Sequence, residues 1–144
     1  EQKQAAYLVR YFLLMFASGR IERCYWHQLV APGYGLIDNR GEVLRKRPAY
    51  YSYKLLLQLF DGATVLNFTE DKSGIYRLKI KNNCGLVEAC WINGGEHSIA
   101  VNSHQYAFEH TGKPCITEKS SLLRLTDNVV YVLDYPLPRD SYAN

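Results

Sequence analysis

Ile75-Tyr76-Arg77-Leu78-Lys79-Ile80-Lys81 alternates apolar with basic side chains, bracketed by the turn signals Lys72-Ser73-Gly74 and Asn82-Asn83. Side chains on a strand point to opposite faces with a period of two. The stretch therefore reads as an antiparallel strand that buries Tyr76, Leu78 and Ile80 and wets Arg77, Lys79 and Lys81. Short segments of strand character recur on either side of it: Val65–Thr69, Leu86–Ile92, Ser98–Val101, Gln105–Glu109, Leu122–Leu125 and Val129–Leu133. Turn signals fill the gaps, among them Asn93-Gly94-Gly95, Thr111-Gly112-Lys113-Pro114 and Thr126-Asp127-Asn128. Many short strands at this spacing predict an antiparallel β-sandwich over 63–144.

Upstream of Gly62 the period changes. Ala5, Leu8, Val9, Phe12, Leu13 and Phe16 fall at helical spacing, and Gly19 is a natural stop, which predicts a helix over Gln4–Ser18. A second helix is expected from Pro48, whose missing N–H is harmless in a first turn, to Phe60, closed by Asp61-Gly62. Between them Arg20–Val30 is short and apolar on both faces, as a strand buried on both sides would be. Leu36-Ile37 and Val43-Leu44 flank Asn39-Arg40-Gly41 as a small hairpin requires. The expectation is an α+β chain: a helix-strand-helix segment, residues 1–62, followed by the sandwich. A lone buried strand needs neighbours for its backbone groups. It either borrows a sandwich edge or pairs with polypeptide upstream of residue 1, and the second is the reading preferred.

With 144 residues, 47% hydrophobic and 22% charged, the chain has the composition of a globular unit and not of a disordered one. A net charge of +3 is too small to argue for a nucleic-acid partner, and no apolar run reaches the length of a membrane span. Aromatic residues make up 13%, twelve of them Tyr, and such rings both fill sandwich cores and stack on sugars. Cys24, Cys84, Cys90 and Cys115 form no CxxC pair; Cys84 and Cys90 could pair across neighbouring strands in an oxidising compartment, with buried free thiols the preferred reading. His97, His104 and His110 follow no ligand spacing, so neither a metal nor a cofactor is expected.

Arg23-Cys24-Tyr25-Trp26-His27-Gln28-Leu29, Tyr34-Gly35-Leu36-Ile37-Asp38, Gly41 and Arg47-Pro48-Ala49-Tyr50-Tyr51 together resemble the end of the catalytic barrel in clan A glycoside hydrolases. In that family an aromatic residue closes the eighth barrel strand, a loop follows, and the eighth helix opens with Pro-Ala-Tyr or similar. The later strands resemble the accessory sandwich that packs beside such barrels. The resemblance implies that Trp26 lies at the carboxyl end of the last barrel strand, where barrel active sites form, as a platform under a sugar ring. It also implies hydrogen bonds from His27, Gln28 and Tyr34 to sugar hydroxyls, and a cis peptide at Trp26-His27. The competing reading of Trp26 is a plain core residue.

A retaining glycosidase needs two carboxylates about 5–5.5 Å apart. In the family both precede the last strand, so no catalytic residue is expected here. Glu22, Asp38, Glu42, Glu70 and Asp71 read as solvated charges. The function implied is the C-terminal part of a retaining glycosidase acting on a polysaccharide or oligosaccharide, inactive by itself and self-associating through its unpaired strand edge. The alternative is a non-catalytic carbohydrate-binding or protein-interaction sandwich. Arg40, Arg45, Lys46 and Arg47 cluster beside Tyr50, Tyr51 and Tyr53, a mixture that single-stranded nucleic acid or an anionic polysaccharide could use, but the preferred reading is a solvated loop and the first turn of an amphipathic helix. Positive charge at a helix start opposes the dipole, which leaves room for an anionic offset.

Overall fold

The structure, a computed structural model, describes residues 1–115 and 121–137. In chain order the elements are α1 (Gln2–Ser18), β1 (Ile37–Asp38), β2 (Arg45–Lys46), α2 (Pro48–Phe60), β3 (Thr64–Glu70), β4 (Ile75–Lys81), β5 (Leu86–Ile92), β6 (His97–Ala100), β7 (Tyr106–Glu109), β8 (Leu122–Leu125) and β9 (Val130–Leu133). The class is α+β, with helices followed by an antiparallel, sandwich-like set of strands.

Strand β4 lies between β3 and β5, and the sheet continues in the order β3-β4-β5-β9-β7, antiparallel throughout. The period of two sorts its residues into two cores. Leu78, Ile80, Val87, Ala89, Trp91, Phe108, Tyr131 and Leu133 face the helices and pack with Leu8, Val9, Leu13, Leu55 and Leu59. Ile75, Cys90, Ile92, Ala107, Val130 and Val132 face the other way and pack with Ile99, Leu123 and Leu125 of the β6-β8 pair. The large sheet is thus the middle of three layers. The face expected to be wet is wet only at one end: Lys79 and Lys81 are exposed, while Arg77 is half-buried against Glu88.

Helix α1 ends where Gly19, at φ 62°, sends its N–H to the Phe16 carbonyl. Helix α2 starts with Pro48 at its first position after an extended Arg47. The helix-side core continues across Gly62, from α2 into the sheet.

The Arg20–Val30 segment departs from expectation. It forms no strand, only one bridge from Val30 to Ile37. Tyr25 is 74% exposed, and Ile21, Leu29 and Val30 are exposed as well, whereas Cys24 and Trp26 pack on the helix-side core. The physical reason is that no strand of the sheet lies beside it. Among the described residues, the backbone groups of Ile21 to His27 bond to no other backbone group.

All four cysteines are free thiols. Burial pushes Cys90 and Cys115 up to about 12, which keeps them protonated and unreactive. No helix of the described residues is long and apolar enough to cross a membrane.

One buried polar contact ties helix to sheet. Ser52 Oγ lies 2.7 Å from His110 Nδ1 and donates to the Pro48 carbonyl at 3.1 Å. Burial lowers His110 from its ordinary 6.5 to about 4, against the opposing pull of the Asn128 side chain and the Asp127 charge. The unfolded chain therefore binds a proton that the folded one refuses, so stability falls as pH drops from 6.5 to about 4 and then levels off. The loss is on the order of 3 kcal/mol, to be read from denaturant melts across that window and to be absent in His110→Asn.

Tyr131 is fully buried, and its hydroxyl has no hydrogen-bond partner among the described residues. Tyr131→Phe is therefore expected to leave stability unchanged or raise it by about 1 kcal/mol, whereas Tyr131→Ala costs about 3–5 kcal/mol in the same melts.

Candidate functional site

After His27 the chain makes a tight excursion and returns alongside itself. Leu36 N–H donates to the Gln28 carbonyl (3.2 Å), Ile37 N–H to the Leu29 carbonyl (2.8 Å) and Ala31 N–H to the Ile37 carbonyl (3.2 Å). Gly35 N–H closes the inner turn on the Ala31 carbonyl at 3.3 Å. A side chain at Gly35 would collide with the Ala31 backbone, so the turn needs glycine here for space. Gly33 sits at φ 83°, a conformation that glycine adopts without strain.

This excursion gathers three of the four expected contact residues. The rings of His27 and Tyr34 stack with centroids 6.2 Å apart and planes 19° from parallel. Tyr34 Oη donates to Gln28 Oε1 at 3.5 Å. All three side chains are exposed, Tyr34 at 52%. Trp26 is turned elsewhere: it is half-buried, edge-on to Tyr11 at 6.1 Å, and packs on the helix core. Its Nε1 is buried without a hydrogen-bond partner among the described residues. The cis peptide is His27-Gln28, one residue beyond the expected Trp26-His27.

Beneath the excursion lies an ionic centre. Asp38, expected as a solvated hairpin charge, is instead 5% exposed and contacts three guanidinium groups. The distances are 2.7 Å to Arg40, 3.2 Å to Arg45 and 3.0 Å to Arg47. Hydrogen bonding, first from Arg40 and then from Arg47 and Arg45, holds its carboxyl well below the usual carboxylate range. Arg47, only 3% exposed, also donates through Nη1 to the Gly33 carbonyl at 2.5 Å. Glu1 pairs with Arg45 at 2.5 Å. The basic cluster before α2, read from sequence as a solvated loop, is instead answered by Asp38 and Glu1, with Arg47 buried. Burial is what the sequence reading missed, because the clue, positive charge at a helix start, did not say which acid answers it.

Gln4 was also missed. Its Nε2 donates to the Tyr34 carbonyl at 2.6 Å, a contact across thirty residues that no local pattern announces.

Two clefts lie elsewhere. An apolar one of about 950 Å³ opens between the C-terminal ends of α1 and α2, lined by Phe16, Ile21, Cys24, Tyr53 and Leu137 among others. A polar one of about 570 Å³ lies between Tyr7 and Arg10 of α1 and the loops holding Asn93 and Asp127. Neither includes His27, Gln28 or Tyr34. No group of three or more His, Cys, Asp or Glu among the described residues is placed to hold a metal ion.

Chemically, the site offers ring faces, an amide and a phenol on a braced turn. Those groups suit a polyhydroxyl ring, whose C–H faces match aromatic surfaces and whose hydroxyls take both donors and acceptors. Asp38 has its oxygens committed to arginines and is held ionised, so it is not a proton donor near neutral pH. Comparison with protein families, curated proteins and solved structures finds no match for this chain.

The turn's dependence on Gly35 is directly testable. Gly35→Ala is expected to destabilise the chain by about 1–3 kcal/mol in denaturant melts, since backbone must shift to admit the methyl group. Gly94→Ala, with open space around it, marks the cost of a positive φ alone.

Proposed function

We propose that the chain acts in carbohydrate processing, as the closing part of a clan A glycoside-hydrolase barrel whose catalytic carboxylates are supplied by polypeptide outside these 144 residues. The observation that carries the reading is the Arg20–Val30 segment. It leads into the His27–Tyr34 cluster, turns Tyr25, Ile21 and Leu29 outward, and leaves Ile21 to His27 without backbone partners among the described residues. Such a segment is what a last barrel strand looks like when its neighbouring strand is elsewhere. In this reading His27, Gln28 and Tyr34 contact the sugar, Trp26 anchors the segment to the helix-side core, and the three-layer unit buttresses the barrel.

The second reading, a non-catalytic carbohydrate-binding module, is favoured by one feature: the ring cluster is assembled by this chain's own residues.

Treating the full-length protein with a mechanism-based 2-fluoroglycoside and mapping the adduct by peptide mass spectrometry separates the two. The expected result is a covalent label on a carboxylate outside the 144 residues, together with self-association of the isolated chain in sedimentation. Oligosaccharide binding by the isolated chain, with no label and no turnover in the full-length protein, establishes the binding module instead. A clean monomer at high concentration removes the argument from the unpaired edge.

A further inference from the structure

Tyr34 is exposed, yet the peptide units on both sides of its Cα are pinned. The Gly33 carbonyl accepts from Arg47 Nη1, and the Tyr34 carbonyl accepts from Gln4 Nε2. Fixing both flanking peptide planes fixes the Cα–Cβ direction, which brings the rotamers that reach His27 and Gln28 into range. Of the two anchors, Arg47 is the buried one. Its fork spans two targets at once, Gly33 on one nitrogen and Asp38 Oδ2 on the other, while its own N–H donates to the Leu36 carbonyl at 2.9 Å. Its Nε is buried and lies 3.9 Å from Glu1 Oε1, beyond a hydrogen bond.

This arrangement is costly for stability alone. A buried guanidinium loses its hydration, and a cation at the start of α2 opposes the helix dipole. An apolar residue at position 47 would avoid both costs but would leave the Gly33 carbonyl unheld.

We infer that Arg47, oriented by Asp38, is a positioning residue that sets the Tyr34 ring for ligand contact. The inference rests on the reading above that the His27–Gln28–Tyr34 cluster touches carbohydrate. Lysine cannot substitute, because an ammonium on a flexible stem does not hold two acceptors in the planar geometry of the fork.

The experiment compares wild type, Arg47→Lys and Asp38→Asn as the 144-residue chain. Circular dichroism reports folding, the NMR cross-peak between the His27 and Tyr34 rings reports the stack, and titration with cellohexaose and mannohexaose reports binding. In the variants the fold is expected to persist while the cross-peak is lost and Kd for the bound probe rises about tenfold, which corresponds to about 1.4 kcal/mol. Should one variant fail to fold, the other carries the same expectation. A cross-peak and a Kd unchanged from wild type in a folded variant overturn the inference, as does absence of the cross-peak in wild type. If wild type binds neither probe, the binding-module reading falls, and the cross-peak still decides whether Arg47 positions the ring.

Discussion

The helix-facing core between α1, α2 and the five-stranded sheet is the constraint on which the rest depends. Leu8 and Leu13 from one helix and Leu55 and Leu59 from the other meet Leu78, Ile80, Val87, Tyr131 and Leu133 across a single apolar layer. Burial at roughly 25 cal/mol per Å² of apolar surface is the only term large enough to hold a layer of this kind against chain entropy. In the segment that joins the helices, Cys24 and Trp26 pack on this core while Tyr25 is exposed.

Polar interactions act on a smaller scale and with more geometric specificity. Ser52 and His110 link helix to sheet at a point where both are buried, which makes that link sensitive to acid. Asp38 and Arg47 place opposite charges under the excursion at 31–35, where Arg47 donates to Asp38 and to the Gly33 carbonyl and Asp38 accepts from Arg40 and Arg45 as well. Neither contact decides the fold; each decides how a particular loop or helix end sits on it. The exposed ring cluster owes its shape to this second tier and not to the core.

The contrast between β4 and Arg20–Val30 shows what pattern reading can deliver. In β4 the alternation places Leu78 and Ile80 in the helix-side core through strand geometry alone, but it does not reveal that the β6-β8 pair covers the other face at Ile75. In Arg20–Val30 the same kind of reading predicted burial on both sides, which depends on what lies beside the segment. Composition cannot supply a neighbour. Asp38 was misread for a related reason: a carboxylate in a polar hairpin looks solvated until the arginines at positions 40, 45 and 47 are seen to converge on it.

By itself the sequence determined the α+β order, both helices with their stops, and the alternating faces of the strands, since these follow from periods of 3.6 and 2 set by local backbone geometry. The choice of Trp26, His27, Gln28 and Tyr34 as contact residues came from the resemblance and not from any local period. Only the tertiary structure decided that β9 inserts between β5 and β7, that the β6-β8 pair forms a third layer, and that Trp26 turns away from the ring cluster. It alone joined Gln4 to Tyr34 and Arg47 to Gly33. Those outcomes rest on contacts between residues far apart in the chain, whose energies depend on burial and mutual geometry that no local period encodes.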